Sequence, residues 1–184
     1  MSSMLGPVIV RRATKADAAA CLAIYRPFVE ATAVSFEAEV PTEEEFAARI
    51  EKSLSAWTWL IAEKEGSCIG YAYGHSHRER TAYRWSVEVT IYVDSSHRRQ
   101  GVGQRLYEQL FVDLTNLGYC NVYAGVTQPN ESSMALHRSV GLEYIGTFRS
   151  VGRKFDRWHD VAWFQRMLRE SPPSLGLGIG AMLG

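Results

Sequence analysis

One carboxylate and one glycine turn hold most of the chemistry legible in this chain. Glu88 stands inside the run SVEVTIYV, residues 86–93. Val87, Val89, Ile91 and Val93 fall on one face and Ser86, Glu88, Thr90 and Tyr92 on the other, the two-residue period of a strand. A strand carboxylate most simply points at solvent. Here it precedes Arg98-Arg99-Gln100-Gly101-Val102-Gly103, a turn that opens a run with Val102, Leu106, Leu110 and Leu114 at helical spacing. Backbone N–H groups at a helix start lack partners within the helix and carry partial positive charge, so they bind phosphates. Two common phosphate motifs are excluded: Leu106 occupies the third glycine of the dinucleotide fingerprint, and no Gly-Lys-Ser/Thr run is present. A ligand held at this turn would lay its reactive end along the strand. Glu88 could then take a proton directly or through water.

Other residues support such a site, each with a plainer reading beside it. His137 is either a packing histidine or an acid–base group near neutrality. Asn130, at a Pro-Asn helix start, is an N-cap that could also bond an amide-bearing ligand. Arg78, Arg80, Tyr83, Arg84 and Trp85 form a basic-aromatic cluster, either a solvated loop or a pocket for a small carboxylate or phosphorus oxyanion. Arg98 and Arg99 read as phosphate partners, and Phe36 as either a core-facing loop residue or a substrate-lining one. His75 and His77 have no Cys, Asp or third His to complete a metal set and read as loop histidines. There is no G-x-S-x-G nucleophile elbow.

These residues need a scaffold. Residues 8–11 read as a first strand, and Thr14 with Asp17 as a capping box for a helix that Pro27 should kink or break into a second short turn. Thr42 with Glu45 caps a second helix. Residues 57–63 and 68–74 read as a hairpin turning at Glu65-Gly66, and 75–84 as an irregular loop. The strand and helix of the opening motif follow, the helix stopping at Gly118. Then come a strand over 119–126, a short helix ended by Gly141, and two final strands over 142–152 and 154–168. The fold class is α/β: a mixed, mostly antiparallel sheet of six to seven strands with helices on both faces. One domain over 1–170 and a Pro- and Gly-rich flexible tail over 171–184 are expected.

The 184 residues carry 20 basic and 20 acidic side chains, so no global field favours nucleic acid or a membrane surface. Three widely spaced cysteines suit neither a disulfide framework nor a metal site, which points to a reducing cytoplasm. No apolar run approaches a membrane span, and no signal peptide is expected.

The R-x-x-G-x-G turn after a strand resembles the acetyl-coenzyme A signature of the GCN5-related N-acetyltransferase superfamily. Residues 8–168 resemble one subgroup, the phosphinothricin and methionine sulfone N-acetyltransferases. The matching pieces are IVRRAT from Ile9, the loop of Val34 and Phe36, and Arg78, Arg80, Tyr83 and Trp85. They continue with Glu88 to Val93, His97 to Gly103, Pro129-Asn130, His137 with Gly141, and WHDV from Trp158.

The resemblance implies a sheet with a splayed central pair and acetyl-CoA lying in the opening as co-substrate, with no metal. It implies that backbone groups of Ile91, Tyr92 and Val93 bind the pantetheine arm. Arg98, Arg99, Gln100, Gly101, Val102, Gly103 and Gln104 would bind the pyrophosphate, and Asn130 and Ser139 would add further cofactor contacts. Glu88 would be the general base, His137 a second catalytic candidate, and Phe36, Arg78, Arg80 and Tyr83 the acceptor pocket. The acceptor would be the α-amino group of phosphinothricin, methionine sulfone or methionine sulfoximine, and the protein a homodimer. His75-Ser76-His77 departs from the Pro-Trp pair of the herbicide-resistance members, which leaves the acceptor open. Acetylation of a protein N-terminus or an antibiotic amine, and coenzyme A sensing without turnover, are the alternatives.

Overall fold

The alternating run around Glu88 becomes the fourth strand of a seven-stranded sheet in the computed structural model, which describes residues 6–174. The elements are β1 (Ile9–Arg12), α1 (Ala18–Ala31), α2 (Glu43–Ala56), β2 (Trp59–Lys64), β3 (Ser67–Ser76), β4 (Ser86–Val93), α3 (Val102–Asn116), β5 (Asn121–Thr127), α4 (Glu131–Ser139), β6 (Glu143–Lys154) and β7 (Arg157–Met167). The strand order is β1-β2-β3-β4-β5-β7-β6. Every neighbouring pair is antiparallel except β4–β5. Of the expected tail, residues 175–184 lie outside the described residues.

The local signals formed their elements. Thr42 Oγ1 accepts from the Glu45 N–H at 3.2 Å, and Glu45 Oε2 accepts from the Thr42 N–H at 2.7 Å, which fixes the start of α2. Glu65 and Gly66 both have positive φ, as the two-residue β2–β3 hairpin requires. α1 runs as one element with Pro27 inside it, without a second short turn. One further detail differs. β3 continues two residues beyond Gly74, because pairing with β4 holds His75 opposite Glu88 and Ser76 opposite Val87.

The two faces of the sheet bury different cores. Val87 and Val89 pack with Leu106, Leu110 and Leu114 of α3 and with Phe164 of β7. On the other face, Tyr71 and Tyr92 join Trp59, Phe46, Ile50 and Tyr25 beneath α1 and α2. The period-two alternation therefore delivers Glu88, Thr90 and Tyr92 to the α1–α2 face. The glycines of the turn do different work. Gly101 has φ 76° and caps α3, a conformation most side chains resist. Gly103 lets α3 approach α4, since a Cβ there would lie 2.7 Å from Leu136 Cδ2.

Candidate active site

The central feature is a fork. β4 and β5 pair over three residues, Ser86↔Asn121, Val87↔Val122 and Glu88↔Tyr123, and then separate. From Val89 to Val93 the edge of β4 that faced β5 has no strand beside it among the described residues. Unpaired backbone groups at such an edge need partners from elsewhere. Glu88 occupies the last paired position, at the tip of the fork.

A cleft of about 840 Å³ opens between the separated strands. Ile91, Tyr92 and Val93 line one side, and Arg98, Arg99, Gly101, Val102, Gly103 and Gln104 close one end at the α3 N-terminus. The first free N–H groups of α3 belong to this turn, since intrahelical bonding begins with Arg105 N–H to Gly101 O at 3.1 Å. Asn130 and Ser139 of α4 line the opposite wall. Asn130 also accepts from the Ser133 N–H at 3.2 Å, and Gln104 Nε2 donates to Ser139 Oγ at 3.4 Å. Gln100 is not part of the lining; its Nε2 donates back to Ser96 O at 3.0 Å. Phe28, Gln128 and His159 contribute to the cleft without having been expected there. Arg98 lies 5.5 Å over the Phe28 ring, which carries its guanidinium along the cleft wall. An amide-bearing chain ending in phosphates fits this lining: strand edge for the amides, helix start and two arginines for the anions.

A second cavity, of about 880 Å³, lies on the α1–α2 face. Trp59 and Tyr73 line it with rings stacked at 4.0 Å, and Arg78, Arg80 and Tyr83 close it from the β3–β4 connection. Arg49 and Lys52 of α2 add two cations that the sequence pattern did not single out. Burial raises the Tyr73 phenol to about 12, so it stays protonated at neutral pH. His75 and His77 line this cavity, and both reach Glu88. His77 Nδ1–H donates to Glu88 Oε1 at 2.9 Å, and His75 Nε2 lies 3.9 Å from Oε2.

The remaining candidates sit elsewhere. Phe36 lines neither cavity. Its ring rests on Gly152, where a Cβ would come within 2.2 Å of Phe36 Cε2, and its centroid is 6.2 Å from that of His159. Lys154 holds the same loop by donating to Val29 O at 2.6 Å and Ser35 O at 2.8 Å. His137 is 3% exposed and also lines neither cavity. Its Nδ1–H donates to Ser133 O at 2.6 Å, and its Nε2 accepts from Tyr107 O–H at 2.9 Å. Desolvation lowers the His137 pKa and raises that of Tyr107, so both are neutral and mutually satisfied between α3 and α4.

A fork at a parallel strand pair, with a helix N-terminus at one end and a carboxylate at its tip, defines an acyl-CoA-dependent transferase site. The family comparison agrees: residues 10–163 match the acetyltransferase (GNAT) domain, and the chain belongs to that family. It is 39% identical over 166 residues to the phosphinothricin N-acetyltransferase of Streptomyces viridochromogenes, covering 90% of this chain and 91% of that one. It is 32% identical to the L-methionine sulfoximine/L-methionine sulfone acetyltransferase of Salmonella typhimurium, covering 88% and 95%. A phosphinothricin acetyltransferase from Sinorhizobium meliloti, solved in complex with acetyl-CoA, superposes with a TM-score of 0.90 at 34% identity, covering 96% of this chain and 98% of that one. The splayed central pair implied by the sequence resemblance is the fork observed at Glu88. Among the described residues, no helix is long and apolar enough to cross a membrane.

Proposed function

We propose that this chain transfers the acetyl group of acetyl-CoA to the α-amino group of a small amino-acid-like acceptor of the phosphinothricin, methionine sulfone or methionine sulfoximine kind. The observation that carries this reading is the position of Glu88 between two cavities. Its histidine partners line the cationic, aromatic cavity. Three residues further along β4, about 10 Å at strand rise, Ile91 begins the lining of the other cleft. The names of the relatives support the acceptor class.

In this reading the pantetheine arm lies along Ile91 to Val93, and Arg98, Arg99 and the α3 N-terminus take the pyrophosphate. Asn130 and Ser139 complete the far wall. The acceptor enters the aromatic cavity, where Arg78 and Arg80 pair with its anionic groups and Tyr83 packs against its body. Phe36 holds the loop after α1 against β6. The carboxylate of Glu88 drives loss of a proton from the acceptor ammonium. The amine then attacks the thioester carbon, and the oxyanion takes hydrogen bonds from N–H groups of the 90–93 segment. The C–S bond breaks as the adduct collapses, and the thiolate takes the second proton shed by the amine nitrogen. The His137–Tyr107 pair fixes α4 on α3 and so positions Asn130 and Ser139.

The test is thiol release from acetyl-CoA across an amino-acid panel containing methionine sulfone, methionine sulfoximine and phosphinothricin, with a peptide N-terminus and an aminoglycoside as controls. Turnover on the amino acids is expected, and turnover on the controls alone overturns the reading. Within the panel, Arg80→Ala should raise KM for acceptors with an anionic side chain far more than for neutral ones. An equal rise for both would remove Arg80 from the acceptor pocket.

The reading extends to a homodimer. Tyr144, Ile145, Phe148, Val151 and Trp158 are all about half exposed or more on the β6–β7 hairpin at the sheet edge, an apolar surface of the kind that pairs copies. Sedimentation should give twice the chain mass, and Phe148→Asp should shift it toward the monomer; a monomeric wild type removes the dimer.

A further inference from the structure

We propose that the group which takes the proton from the acceptor amine is His77, with Glu88 behind it as the carboxylate that orients and charges the imidazole. The inference rests on the acetyl-transfer reading and deepens it. Four observations carry it. His77 lines the acceptor cavity and Glu88 does not. Nδ1–H of His77 donates to Glu88 Oε1 at 2.9 Å, which fixes the tautomer with Nε2 as the free acceptor. Nε2 has no hydrogen-bond partner among the described residues. The ring is also held in place: it stacks on Tyr123 at 4.5 Å and 15°, with Tyr83 edge-on at 5.7 Å.

This arrangement meets the requirement for a positioned base, an acceptor nitrogen in the cavity whose opposite nitrogen is bonded to a carboxylate. The cross-strand register creates it. His75 stands opposite Glu88 on β3 and Tyr123 opposite it on β5, so the three side chains form one row, and His77 folds back over the Tyr123 ring. The ionisable neighbours of the ring are Glu88 on β4, Tyr123 on β5 and Tyr83 in the β3–β4 connection, and His75 on β3 lies 3.9 Å from the same Glu88 carboxylate. Arg49, Lys52, Arg78, Glu79 and Arg80 line the same cavity. Glu88 is the one carboxylate bonded to His77 among the described residues.

The proton count closes. The bound ammonium gives its first proton to His77 Nε2, and the imidazolium is stabilised by Glu88. The amine nitrogen forms its bond to the thioester carbon and the C–S bond breaks. Its second proton neutralises the thiolate, its third remains in the amide, and His77 returns its proton to solvent.

The experiment compares wild type, His77→Gln and His77→Ala on methionine sulfone, with acetyl-CoA affinity measured separately by calorimetry. The expected result is a loss of about 10²–10⁴-fold in kcat for both variants at unchanged acetyl-CoA affinity. The acid limb of kcat/KM should move up to the titration of the acceptor's own amine. Added imidazole should restore turnover to His77→Ala, where the Tyr123 face is left open, and not to His77→Gln. An active wild type whose His77→Gln variant keeps both its rate and its acid limb overturns the dyad alone, leaving Glu88 as the direct base. Loss of activity in both variants without imidazole rescue and without movement of the limb also overturns it, since that marks a packing role. A wild type that binds acetyl-CoA and acetylates no amine overturns the transfer reading, and the dyad with it.

Discussion

Glu88→Gln should lower turnover by about 10²–10⁴-fold while acetyl-CoA binds as before, the range expected when one general-base contribution is removed. The substitution keeps the shape of the side chain and removes its charge. A glutamine oxygen can still accept from His77 Nδ1–H, but it cannot stabilise an imidazolium as a carboxylate does. A glutamine turned the other way would donate to Nδ1 and put the proton on Nε2, where the amine must deliver its own. Cofactor affinity is spared because Glu88 is not among the residues lining the cleft between β4 and β5. Steady-state thiol release and equilibrium binding of acetyl-CoA measure the two effects separately. If base and carboxylate act as one unit, the Glu88→Gln/His77→Gln double variant should be little worse than either single one, as functional groups in series are strongly non-additive. Near-normal turnover of Glu88→Gln across pH would sink the assignment of Glu88 to the base.

The largest stability effect is expected at Trp59. Its side chain is 1% exposed, stacked on Tyr73 at 4.0 Å and on Tyr71 at 5.4 Å, with Phe46 edge-on at 5.7 Å. Truncation to alanine leaves a large void under α2 and should cost about 3–5 kcal/mol. For a chain of this length that corresponds to a fall in Tm of roughly 6–20 °C. Trp59→Phe should cost much less. It keeps a ring between the tyrosines and removes an indole N–H that has no hydrogen-bond partner among the described residues. Thermal unfolding of both variants checks the ordering. A Trp59→Ala protein that melts within a few degrees of wild type would mean that the aromatic stack contributes little. Because Trp59 also lines the cavity proposed for the acceptor, surviving Trp59→Ala protein should show a raised acceptor KM with acetyl-CoA binding intact.

Much of the scaffold was legible in the residues alone, for a physical reason. Strand alternation over 86–93, the Thr42–Glu45 capping box, the Glu65-Gly66 turn and the Gly101 cap each arise within a few residues. Their energetics depend on backbone geometry rather than on distant partners. The anion-binding turn belongs to the same class, since a helix start binds phosphates whatever the rest of the chain does. That is why the lining of the cleft between β4 and β5 could be read with little tertiary information, apart from Gln100, which turns back to Ser96.

The cavity proposed for the acceptor could not be read that way. His75 read as a loop histidine because the strand ending at Gly74 looked complete; pairing with β4 extends it to Ser76 and sets His75 opposite Glu88, while His77 lies in the connection just beyond. An H-x-H at the end of a strand whose antiparallel neighbour carries an acid was the available signal, but it has meaning only once the register is known. Arg49 and Lys52 read as the solvated face of a helix until α2 packs over the sheet beside the cavity. Phe36 and His137 show the reverse. Their residue types suggested chemistry, and packing put one against Gly152 and the other in a satisfied core pair with Tyr107, thirty positions away. The sequence by itself determined the family, the sheet and the glycine turn that opens α3, because those follow from periods and caps a few residues long. Only the tertiary structure decided which side chains stand around Glu88, because that depends on strand register and on contacts between segments far apart in the chain.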